Sequence, residues 1–117
     1  MTPEGTAALT AVLTAIDAGD VPDRGPLEVA CRALAQMLAD AAPGRAVELR
    51  IPPFVAVQII EGQTHRRGTP PATVEIAPIG WIRLATGRIT WADALDDGTV
   101  RASGRRSDLS PYLPFLS

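Results

Sequence analysis

At 117 residues the chain has room for one hydrophobic core, and 46% apolar with 21% charged residues is the make-up of a folded protein, not a disordered one. A net charge of −2 leaves no electrostatic footprint for nucleic acid, and every basic residue is Arg. The single Cys31 cannot close an internal disulfide, which suits a reducing cytoplasmic setting. No apolar run approaches the ~20 residues of a membrane span, and the N-terminus lacks the basic-then-apolar order of a signal peptide. The expectation is a single domain over residues 1–117, with an N-terminal helix and linker over 1–25.

Thr2-Pro3-Glu4 has the make-up of a helix start: a capping hydroxyl, a proline in the first turn and an acid near the positive end of the dipole. Leu9, Val12, Leu13 and Ile16 then recur at helical spacing until Gly19. Pro26 opens a second helix with Leu27, Ala30, Cys31, Leu34, Leu38 and Ala41 on one face and Glu28, Arg32, Gln36 and Asp40 on the other. The pair reads as a helical hairpin. Cys31 lies within the apolar stripe and needs no chemistry beyond that of a small core side chain.

From Arg45 the period changes to two. Val47, Leu49 and Ile51 alternate with Glu48 and Arg50, so one face of this strand is solvated. Pro52-Pro53 marks a break or an edge. Residues 54–60 read as a strand apolar on both faces, with Val55, Val57 and Ile59 on one side and Phe54, Ala56 and Ile60 on the other. Such a strand calls for cover on both sides or a place in the sheet centre. Residues 62–71 form a Gly- and Pro-rich connection that holds the only His, His65, beside Arg66 and Arg67. A solvated loop is one reading. An anion anchor, with an Arg on a carboxylate or phosphate, is the other.

A further strand carries Val74 and Ile76. Pro78 starts a short helix bearing Ile79, Trp81, Ile82 and Leu84, and Gly87 supplies a left-handed cap. Thr90 caps a second short helix that holds Trp91, Ala94 and Leu95. Asp97-Gly98 is a turn, and Val100 and Ala102 face one way on the returning strand. Ser107 or Asp108 can cap a closing helix in the tail. Leu109, Tyr112, Leu113, Phe115 and Leu116 make that tail too apolar to stay in water, so it must dock.

The residues of a reaction centre are missing. One His and one Cys far apart make no metal cluster, and neither Gly-x-Ser-x-Gly nor a phosphate-cradling glycine loop occurs. Asp96 and Asp97 are neighbours in a turn, not a catalytic dyad. No catalytic residue, metal or cofactor is therefore assigned, and a non-enzyme is expected.

The ordered set of a Leu-x-x-Gly at 84–87, the apolar helix from Trp91 to Leu95, the segment from Gly98 to Gly104 and the leucine-rich tail to Leu116 resembles the sterol carrier protein type-2 family over residues 26–117. The resemblance is to its small bacterial, largely actinobacterial, members, and a related domain ends some mycothiol-dependent isomerases. The resemblance implies an α+β sterol-carrier-like fold. A helical hairpin precedes a mostly antiparallel or mixed sheet of four to five strands, covered on one face by helices and completed by a C-terminal closing helix. It implies a small binding protein for an apolar, lipid-like ligand in a tunnel between sheet and helices, with the C-terminal segment as a lid. The candidate lining is Val57, Ile59, Ile79, Trp81, Ile82, Trp91, Leu95, Leu113 and Leu116, and the candidate polar anchor is His65, Arg66 or Arg67. The alternative is an interaction module, a homodimer or the accessory domain of an isomerase-like enzyme, with no small-molecule ligand.

Overall fold

The computed structural model describes residues 1–62, 72–104 and 107–116. Helix α1 covers Pro3–Asp17 and α2 covers Arg24–Ala41. Strands β1 (Val47–Ile51), β2 (Val55–Ile59) and β3 (Ala72–Ile76) follow. Helices α3 (Pro78–Ala85) and α4 (Trp91–Asp96) precede β4 (Val100–Ser103), and a 3₁₀ turn covers Ser110–Tyr112. The class is α+β, as expected.

The first helix starts as its residues dictate. The Gly5 N–H donates to Thr2 Oγ1 at 3.0 Å, and Pro3 stands where no intrahelical N–H is required. The second begins at Arg24, earlier than Pro26 alone suggests. Pro26 sits within the first turn, where a missing N–H costs no intrahelical bond. The two form the expected hairpin, and α2 lies against both β2 and α3. Most of the predicted stripe is buried: Leu27, Ala30, Cys31, Leu34 and Leu38 face the interior and Ala35 joins them, while Ala41, the last residue of the helix, is exposed.

The four strands run in the order β2-β1-β3-β4. β1 is antiparallel to β2 and parallel to β3, and β3 is antiparallel to β4. In this register Leu49 lies opposite both Val57 and Val74, and Val47 opposite Ile59 and Ala72. These side chains share the face that the helices cover. The other face carries Gln58, Glu48, Arg50, Thr73, Glu75 and Arg101. On it Arg50 Nη2 meets Glu48 Oε2 at 3.1 Å and feels the charge of Glu75, the residue opposite it on β3.

The expectation of two-sided burial for residues 54–60 is corrected. β2 ends the row of described strands, and Ala56 and Gln58 are exposed while Val55 and Val57 are half-buried. Alanine is small enough to face water at little cost, so its apolar character says little about burial. The strand stops at Ile60, whose φ of 69° is unusual for a β-branched residue. Its N–H donates to Ala42 O at 2.7 Å and its carbonyl accepts from Ala46 at 2.9 Å, tying the end of β2 to the exit of α2. Gly44 fits under this junction because it has no side chain: a Cβ there would lie 2.1 Å from Ile60 O.

The expected closing helix is a single 3₁₀ turn. Asp108 Oδ1 accepts from the Ser110 N–H at 2.9 Å and starts it. Pro114 then stops it, because the residue before a proline is pushed out of the helical region; Leu113 adopts φ −125°, ψ 136°. The chain then reaches the end of α3, where the Phe115 and Leu116 N–H groups both donate to Ala85 O, at 3.2 and 2.9 Å. The tail does dock: Leu109 is fully buried, and Tyr112, Leu113, Phe115 and Leu116 pack against the core.

Candidate functional site

Helix α3 ends in a Schellman closure. Gly87, at φ 78°, donates to Leu84 O at 3.3 Å, and Arg88 donates to Arg83 O at 2.7 Å. The chain turns sharply there and re-enters a helix at Thr90, whose Oγ1 accepts from the Asp93 N–H at 3.1 Å. The docked tail runs beside this corner, with Pro114 Cγ close enough to touch a Cβ added at Gly87. Between the end of α3, the start of α4 and the tail lies a groove of about 350 Å³, open to solvent. Leu84, Ile89, Trp91, Ala92, Leu113 and Pro114 give it apolar walls, and Gly87, Thr90 and Ser110 complete the rim.

The predicted lining separates into four groups. Trp91 and Leu113 meet on the groove. Ile59, Trp81 and Ile82 are fully enclosed in the core, while Val57, Ile79 and Leu116 are half-buried beside it. Leu95 points outward and is 42% exposed, because the six-residue α4 buries only Ala94. The two indoles thus have different environments. Trp81 Nε1 donates to Cys31 O at 3.3 Å, and its ring meets Phe115 at 5.9 Å between centroids. Trp91 is half-buried on the groove wall. His65, Arg66 and Arg67 lie outside the described residues.

Sequence reasoning missed Leu84, Ile89, Ala92, Ser110 and Pro114 as groove residues. Gly87 and Thr90 were legible only as helix punctuation. Their capping pattern does predict the corner between α3 and α4, and that corner is what makes the concavity. A second, shallower hollow of about 390 Å³ lies at the β1–β2 turn among Arg50, Pro52, Pro53, Phe54, Val55 and Ala56. The Arg24 guanidinium covers Phe54 there, 5.2 Å from the ring centroid.

Among the described residues the thiol and the carboxyls with shifted titration are not set up for chemistry. Burial pushes the Cys31 thiol up to about 12, and its Sγ lies 3.6 Å from Pro78 O. Such a thiol stays protonated at neutral pH and is a poor nucleophile. Asp97 and Asp108 have their carboxyls held below the ordinary value by the hydrogen bonds they accept from Thr99 and Ser110. These are turn contacts and do not face the groove's apolar walls. Among the described residues no three His, Cys, Asp or Glu side chains come together to hold a metal ion. Among them, too, no helix is long and apolar enough to cross a membrane.

Among curated proteins none matches the chain. Residues 23–115 match the family described as bacterial SCP ortholog, the bacterial counterparts of sterol carrier protein. The match takes in α2, the whole sheet, the corner that forms the groove and most of the docked tail. With that match over most of its length, and with a mixed four-stranded sheet covered by helices, the chain belongs to the bacterial sterol carrier protein ortholog family.

Proposed function

We propose that residues 1–117 act as one non-catalytic domain that binds an apolar, lipid-like molecule in the groove between α3, α4 and the C-terminal segment. The single observation that carries this reading is the groove itself. It is an apolar concavity in a protein whose family is one of lipid carriers, not enzymes. At about 350 Å³ it stands at the small end of the ~300–1,000 Å³ range of small-molecule sites. That size favours a slender acyl chain over a bulky ring system. Transfer of each methylene from water contributes about 0.8 kcal/mol, so roughly ten buried methylenes supply the ~8 kcal/mol of a micromolar complex, and association costs raise that number. To the half-buried Trp91 on the groove wall we assign the donor, its indole N–H, for the polar end of the ligand. We assign the outer wall to the tail over Leu113 and Pro114, which the Phe115 and Leu116 N–H groups tie to Ala85 O.

The test is titration of the protein with cis-parinaric acid and, separately, with a fluorescent sterol. Saturable binding of the fatty acid, weakened by Leu113→Asp and by Trp91→Ala, is expected, with weaker uptake of the sterol. No saturable binding of either probe to a folded sample, or binding indifferent to both substitutions, would overturn the reading.

A further inference from the structure

The groove depends on a corner that lies between two well-fixed ends. The Schellman bonds hold its start at Gly87 and Arg88, and the Thr90 cap holds its finish. Between them the side chain of Arg88 leaves the corner and crosses to α1. Nε meets Asp17 Oδ1 at 2.7 Å and Nη2 meets Oδ2 at 2.7 Å, a two-pronged pair that joins positions 71 apart in sequence. Of the ion pairs among the described residues, the other two join neighbours on one helix or one strand. This one alone spans elements.

Three features give the pair a use beyond local helix stability. Asp17 is the last residue of α1, the end at which the dipole disfavours an acid, and no basic residue in the last turn offsets it. The end of α1 is itself rigidly closed: Gly19 donates to Ile16 O at 3.0 Å and Asp20 to Ala15 O at 2.8 Å. And α1 lies wholly outside the stretch that matches the family, while Arg88 lies inside it, flanked by the groove residues Gly87 and Ile89.

We infer that Asp17 and Arg88 form a clamp by which helix α1 braces the groove rim and slows the opening through which a ligand leaves. Both are positioning residues; neither lines the groove. This inference rests on the proposed function, and its test separates the two. Helix α1 buries Leu9 and Val12, so its removal would expose core, and charge changes are the sounder perturbation. In Arg88→Gln and in Asp17→Asn, release of cis-parinaric acid should speed up about threefold, in keeping with an exposed but well-aligned pair. The charge-reversed double variant Asp17→Arg/Arg88→Asp should restore the slow rate. Added salt should speed release from the native protein and not from Arg88→Gln, since a half-exposed pair is screened. A merely structural loss would show neither rescue nor this difference in salt response. Independently of any ligand, amide exchange across residues 89–92 should quicken in Arg88→Gln while exchange in β1 and β3 is unchanged. If the native protein binds no probe, the functional reading fails and the exchange measurement alone decides the brace. If it binds and Arg88→Gln matches it in release rate, salt response and exchange, the clamp is refuted.

Discussion

Trp81→Phe separates the closed core from the groove. Trp81 is among the largest fully enclosed side chains, and it donates its indole N–H to Cys31 O at 3.3 Å. Phenylalanine keeps an aromatic ring for the contact with Phe115 but loses the N–H and leaves a void where the second ring was. The lost hydrogen bond costs about 0.5–1 kcal/mol, the low end of the usual range. The bond is long, and the carbonyl it leaves belongs to the interior of α2, where the next turn supplies a second donor. The void and the lost contacts add about 1–2 kcal/mol. A total of roughly 2 kcal/mol corresponds to a fall in Tm of about 8 °C for a chain of this size. The assay is thermal unfolding followed by circular dichroism, with native and variant proteins at the same pH and concentration. The variant also leaves Trp91 as the sole indole, so its emission should shift to the blue on titration with cis-parinaric acid, at an affinity matching the native protein's. A fall in Tm of under about 2 °C would refute the enclosure of Trp81. A large loss of affinity would refute its separation from the groove.

Gly44→Ala should destabilise by about 3 kcal/mol or more, because the new Cβ would meet the Ile60 carbonyl oxygen, a backbone atom fixed by its own bond to Ala46; urea unfolding checks it. Cys31 should resist alkylation at pH 8 until the protein is unfolded, and thiol titration with and without urea reads this directly. Its folded value lies above the ordinary 9.0, so its contribution to stability is complete below pH 9 and fades as pH climbs from about 9 towards 12; the alkaline limb of Tm against pH should show that loss, and Cys31→Ala should flatten it. Asp17 behaves in the opposite sense. Its hydrogen bonds from Arg88 lower its carboxyl below 3.8, so the stability it contributes is present above that value and lost as pH falls below it. Arg88→Gln should blunt that acid limb of the Tm profile.

Much of the architecture could be read from local pattern. The stripe on α2, the alternation in β1 and the caps at Thr2, Gly87 and Thr90 are short-range signals, and each depends on residues within a turn or two. Pro26 marks the start of α2 only to within a turn, because proline is tolerated anywhere in the first turn, and the helix begins at Arg24. The double-sided reading of β2 failed because Ala56 was counted as a residue that must be covered, although its small surface tolerates water. Leu113 before Pro114 carried the signal that ends the closing helix, and the apolar count of the tail outweighed it. The candidate lining was drawn from large apolar residues, and size alone does not tell an enclosed Trp81 from a groove-facing Trp91; their partners come from distant elements. The Asp17–Arg88 pair had no local signal at all.

The Schellman turn after α3 divides the groove's composition into two kinds of position. Gly87 and Thr90 are held by what the backbone requires of them, a positive φ and a capping oxygen, whatever the cavity contains. Ile89, Ala92 and Leu113 answer to no such demand and offer only their bulk and polarity. If the groove binds as proposed, exchange at those three places would retune its selectivity while the scaffold stays intact, and sister proteins with the same turn would then differ in cargo.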